Sequence, residues 1–321
     1  MSHFTVLVCL PAWASDIDTE LDKALAPFDE NMAVSEYPEY QEGAPEEHWW
    51  YKSQVREGKW LHEGPPSWAQ IVGDYPGRAD EERLYLDDDG RAYSLSTYNP
   101  SSKWDWWQIG GRWTRSLISK VPARSFDAKF LIQGSPGVFG SDTELETPDN
   151  TLRCDGGPVR LLDFARMRME AEAEAARHYD VWEEICASTP PLKYTWEHLR
   201  SEVQLKEFTI DEARERYNAQ PRIQATKARS RELGRRDFLA EPVEQEFILN
   251  REDHLRRAYW SGVGAFALLT KEGTWHEKGA MGWFGMSDDT PETRDRFVVQ
   301  MNKYLDTLDP DDIVVMIDAH I

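Results

Sequence analysis

Two stretches of this chain carry side chains whose types and spacing could do chemistry. The first is Trp104–Trp113, WDWWQIGGRW, which sets four tryptophans, Asp105 and Arg112 around a Gly-Gly pair. Indole faces can stack a base or a sugar. An arginine among them can stack as well and still offer its planar fork to a carboxylate or phosphate. The candidate ligand-binding residues are therefore Trp104, Asp105, Trp107, Arg112 and Trp113. Trp283 joins them from a second aromatic-glycine run, Gly282-Trp283-Phe284-Gly285-Met286. The alternative is core packing, closed by an Asp105–Arg112 pair. The second stretch is the chain end, Asp318-Ala319-His320-Ile321. Asp318 and His320 are two apart, so on a strand they share a face. If the first and last strands pair antiparallel, His3 comes beside both. His3, Asp318 and His320 could then hold a divalent transition metal, or act as an acid–base pair in which Asp orients a histidine. The alternative is a hydrogen-bonded tether of the chain ends.

These residues must be positioned by the ends of the chain. Phe4–Leu10 (FTVLVCL) reads as a buried strand ended by Pro11. A helix over Thr19–Phe28 follows, with Pro27 ending or bending it. Strands are expected at Ala92–Thr97, Trp104–Gln108 and Phe130–Gln133. Near the other end, Gly262–Thr270 reads as a strand and Thr274–Trp283 as its return. Thr290 caps a helix with Pro291 at its first position, and Ile313–Ile317 is the last strand. Matching strand-helix units at both ends predict an α+β fold. Its core is a ferredoxin-like split β-α-β arrangement assembled from both chain ends. Residues 1–157 supply the N-terminal half, including a Pro-, Gly- and acid-rich segment at 30–89 too long for an ordinary loop. Residues 158–257 have helical composition and no strand character, a large helical insertion or cap. Its Thr209-Ile210-Asp211-Glu212 run fits a capping box. Residues 258–321 supply the C-terminal half.

Composition narrows the function classes. The chain has 321 residues, 40% of them hydrophobic, so it can bury a substantial core. Its formal net charge is -21, which opposes nonspecific binding to nucleic acid and to anionic membranes. The one dense basic patch is Lys227–Arg236. Three cysteines, Cys9, Cys154 and Cys186, are too few and too far apart for a disulfide framework or a cysteine zinc site. No apolar run approaches the roughly 18 residues of a membrane span, so a soluble, cytoplasmic protein is expected. No Ser-His-Asp order, P-loop, GxGxxG or HExxH motif is recognisable.

As a set, Phe28-Asp29-Glu30-Asn31, Ser102–Trp107 with Gly110–Trp113, Gly282–Gly285 and Asp318–Ile321 resemble an uncharacterised family found in bacteriophages and actinobacteria. The resemblance covers the two ends of the chain. It implies phage association, and hence the host cytoplasm, but brings no activity and no catalytic residue. Family members carry a cysteine where this chain has Ala319, which argues against cysteine-dependent chemistry.

Three functions compete. One is a protein that binds a nucleotide-like or other flat anionic small molecule in a Trp-rich cleft, in phage–host conflict. Another is a metal- or His/Asp-dependent phosphoester hydrolase. The third is an acidic inhibitor of a basic host protein. The expected partner is thus a small-molecule ligand or a host protein.

Overall fold

The computed structural model describes residues 2–76, 83–137, 143–205, 207–232, 247–281 and 286–321. The chain divides into two compact units. One comprises residues up to Leu21 together with Trp107–His320, and the other Asp22–Trp106.

The larger unit is built on the two terminal strands. His3–Leu10 and Ile313–His320 pair antiparallel along their whole length, with Thr5 opposite Asp318 and Leu7 opposite Met316. Both strands are rich in Val, Ile and Leu because both faces are covered, which suits β-branched side chains on a pleated surface. The sheet runs Trp275–Glu277, Ala267–Leu269, His3–Leu10, Ile313–His320, Trp106–Gly111 and Ser135–Pro136, with Gly156–Pro158 also pairing the last strand. One neighbour of His3–Leu10 is therefore the antiparallel last strand, and the other, Ala267–Leu269, is parallel. A ferredoxin-like sheet gives its first strand two antiparallel neighbours, so this mixed α/β sheet does not reproduce that order. The reason is that the hairpin Ala267–Glu277 docks by its first strand rather than its second.

Side-chain alternation decides what each face meets. Leu7, Cys9, Val314 and Met316 point toward the helix Pro291–Leu305, whose Phe297, Met301 and Leu305 complete the core with Leu117 and Leu162. That helix starts at a capping box in which Thr290 accepts from the Thr293 backbone N–H and the Thr293 hydroxyl accepts from the Thr290 N–H. Thr290→Ala should therefore lower stability by about 1 kcal/mol, seen as a lower urea midpoint at unchanged m value.

Among its described residues after Pro158, the block 158–257 has helices and connecting loops but no strand, with α-helices Phe164–Ser188, Trp196–Gln204, Ile210–Asn218, Pro221–Glu232 and Arg251–Ser261. It builds a core of its own from Leu199, Ala213, Tyr217 and Ile223, beside which Trp182 and Phe247 stack at 5.0 Å. Arg168 ties its first helix back toward the sheet. Buried among apolar atoms, it donates to Asn302 and, twice, to the Asp306 carboxylate. Residues 233–236 of the basic patch lie outside the described residues.

The smaller unit turns the acidic excursion into a folded body. Ala92–Ser96 pairs with Tyr37–Tyr40 and with Tyr85–Leu86, and the helices Trp49–Arg56 and Trp68–Asp74 bring aromatic rings together. Trp50 meets Tyr75 at 5.6 Å and Tyr51 meets Trp60 at 4.9 Å, both edge-on as ring quadrupoles favour. Phe126–Phe130 forms a 3-10 helix in place of the start of the expected strand at Phe130. No described helix is long and apolar enough to cross a membrane.

Candidate functional site

The strand expected at Trp104–Gln108 runs instead from Trp106 to Gly111, so the Gly-Gly pair closes the strand rather than following it. Both glycines have positive φ, 76° for Gly110 and 57° for Gly111, a conformation that a Cβ penalises. A Cβ on Gly111 would lie 2.3 Å from the Asp318 carboxylate, and one on Gly110 would lie 3.0 Å from that of Asp155. Two fully buried carboxylates thus reach this turn.

Asp318 comes from the last strand. Its Oδ1 lies 2.8 Å from Nδ1 of His3, and its Oδ2 accepts from the Arg112 backbone N–H at 2.9 Å. An ionised carboxylate is only an acceptor, so it assigns the proton of His3 to Nδ1 and leaves Nε2 as the basic nitrogen. Asp155 serves the far side of the turn. It accepts from the N–H of Arg115 at 2.6 Å, from the N–H of Gly134 at 2.8 Å and from the Thr114 hydroxyl at 3.2 Å. Burial pushes its carboxyl above the usual value, and the three hydrogen bonds draw it back only in part.

A cavity of about 460 Å³ opens beside the start of the first strand. His3, Thr5, Trp113, Ser116, Lys278 and Met316 are among its walls. That volume falls within the usual range for small-molecule sites. Lys278 is half-buried and makes no ion pair among the described residues; its ammonium rests 5.0 Å from the Phe266 ring. Burial holds its amine below the ordinary lysine value. The Oγ of Ser116 is buried with no hydrogen-bond partner among the described residues. A second cavity, about 510 Å³, lies against the helices Arg251–Ser261 and Pro291–Leu305. There Arg257 is answered by a bidentate contact to Asp295 at 2.7 Å, and Arg256 by Asp253. Lys278, on the wall of the first cavity, feels Asp289 only at longer range.

The sequence candidates separate on this geometry. Trp113 lines the cavity, and Arg112 contributes its backbone N–H to Asp318. Trp107 is half-buried in the same unit. Trp104 and Asp105 belong to the smaller unit. Trp104 is buried there with its indole N–H donating to the Leu25 carbonyl, and the Asp105 carbonyl accepts from Asn31. Trp104 thus packs within the smaller unit. Trp283 lies outside the described residues.

The expected metal set is His3, Asp318 and His320. The strand pairing does bring the three together, with the imidazoles edge-on at 5.0 Å. Both Asp318 oxygens, however, are engaged by His3 and Arg112, and no group of three His, Cys, Asp or Glu side chains among the described residues is arranged to hold a metal. Asp155, Ser116 and Lys278 carried no sequence signal. Each is an ordinary residue in a junction or strand end; the cavity singles out Ser116 and Lys278, and the turn at Gly110 singles out Asp155. Comparison with models of protein families, with curated proteins and with solved structures finds no match to this chain.

Proposed function

We propose that this protein binds a small, flat, anionic molecule, nucleotide-like in its combination of planar ring and negative group, in the cavity beside His3. The observation that carries the reading is Lys278, a half-buried cation on the cavity wall that makes no direct ion pair among the described residues, with Asp289 acting on it only at longer range. In a chain of net charge -21, a desolvated lysine without an ion pair is costly to keep. An anionic ligand would repay that cost. Trp113 offers the ring an apolar wall, and the His3–Asp318 pair offers a hydrogen-bonding edge. The acidic remainder of the molecule opposes an anion only weakly at this site, since the Debye length at physiological salt is about 8 Å.

Titration calorimetry with adenosine monophosphate, and with adenosine as the neutral control, tests the reading. The monophosphate is expected to bind and adenosine to bind at least tenfold more weakly. Equal affinity for the two, or binding of neither, would sink the proposal. Lys278→Met is expected to weaken the monophosphate at least tenfold, about 1.4 kcal/mol. The same variant should be more stable than the parent. The depressed lysine value means the folded state binds its proton less tightly than the unfolded chain. The penalty is therefore full below the folded value and disappears as pH rises through it toward the ordinary 10.5. Urea midpoints should favour Lys278→Met at neutral pH, with a gap that narrows as the solution is made alkaline.

A further inference from the structure

We propose that Ser116, His3 and Asp318 form a hydrolytic triad that cleaves small carboxylic esters bearing an anionic group. The proposal rests on the cavity being the ligand site. Ser116 and His3 line that one cavity, although 113 positions separate them in the chain (116 minus 3). Asp318 meets the imidazole at Nδ1, the nitrogen that must be fixed if Nε2 is to act as a base. Asp318 is itself held by the Arg112 N–H, so the orienting carboxylate cannot swing away. Among the described residues the buried Ser116 hydroxyl has no hydrogen-bond partner, so attack by it requires a rotation about χ1 that brings Oγ to His3 and into the cavity.

The backbone leading to Ser116 is also unusual. Arg115 has a φ of 61°, uncommon for a residue with a side chain, and its N–H is clamped by Asp155 at 2.6 Å. A strained residue held by a buried carboxylate, immediately before a hydroxyl on a cavity wall, is a costly arrangement of the kind that accumulates at reactive sites. Asp155 would be a positioning residue here.

The chemistry balances without any co-reactant but water. The Ser116 Oγ attacks the ester carbonyl carbon while Nε2 of His3 takes the hydroxyl proton. The carbon–alkoxy bond breaks, and the imidazolium returns that proton to the departing alcohol. Water then attacks the acyl-serine, again losing a proton to His3, and releases the carboxylic acid with Ser116 restored. Lys278 would hold the anionic end of the substrate.

The test is labelling of the full chain with an alkyl fluorophosphonate, read by intact mass and peptide mapping. One adduct is expected, on Ser116, absent in Ser116→Ala and formed at least 100-fold more slowly in His3→Gln. Labelling of Ser116→Ala is compared only after its far-ultraviolet circular dichroism matches the parent. No adduct, an adduct on another residue, or an undiminished rate in His3→Gln would overturn the triad. Binding of adenosine monophosphate by the unmodified protein is measured separately. Monophosphate binding without labelling overturns the triad alone. Labelling without monophosphate binding overturns the anion-site reading and leaves the hydrolytic one.

Discussion

Gly111→Ala is expected to destabilise the protein by about 3 kcal/mol. Two costs add. The residue sits at φ 57°, where an L side chain crowds its own carbonyl. The new Cβ would also stand 2.3 Å from the Asp318 Oδ2 and 2.4 Å from its Cβ, so the last strand or the turn must move. Movement of Asp318 breaks its bond to the Arg112 N–H and loosens His3, so any activity of the cavity should fall with stability. Chemical denaturation of the purified variant measures the first effect, and fluorophosphonate labelling the second. A variant with a parental urea midpoint would show that the carboxylate does not crowd this turn.

Asp155→Ala should cost a similar amount, about 3 kcal/mol, through a different mechanism. The substitution leaves the N–H groups of Arg115 and Gly134 and the Thr114 hydroxyl without the acceptor they share. A buried donor left unsatisfied costs about 1–3 kcal/mol, and removing a desolvated charge returns part of the sum. The variant should also change how stability depends on pH. The folded-state carboxyl lies above the ordinary 3.8, so the folded protein takes up this proton before the unfolded chain does. Its contribution to stability therefore grows as pH falls through the raised value and is lost as pH rises through it. Asp155→Ala should lack this component, so the gap between variant and parent should widen on acidification. Urea midpoints between pH 4 and 7 would test this, and a gap that narrowed toward acid would contradict the assigned direction.

Some of this molecule is legible in the amino-acid sequence because the cause is local. Phe4–Leu10 and Ile313–Ile317 are runs of apolar, β-branched residues that have little alternative to a buried strand, and they pair as neighbours. The Thr209 and Thr290 caps are set by hydroxyl chemistry within four residues, and both helices begin there. The helical character of the middle block follows from its charge-rich period. His3 beside Asp318 and His320 followed from strand arithmetic, since antiparallel pairing sets the start of the first strand beside the end of the last.

What the local pattern could not decide are the contacts between segments far apart in the chain. Whether Ala267–Leu269 or its return strand docks on the first strand depends on how the hairpin packs, and both have apolar faces. The Gly-Gly pair announces a close approach but not what approaches; the answers, Asp318 and Asp155, lie 207 and 45 positions away (318 minus 111, and 155 minus 110). The four clustered tryptophans look alike in sequence, yet Trp104 is buried as core and Trp113 faces a cavity. A side chain's exposure is set by the layer it meets, and that layer is supplied by other parts of the chain. Lys278 and Ser116 make the same point most plainly. A lysine with no ion pair and a hydroxyl with no hydrogen bond among the described residues become visible only once distant segments are placed around them.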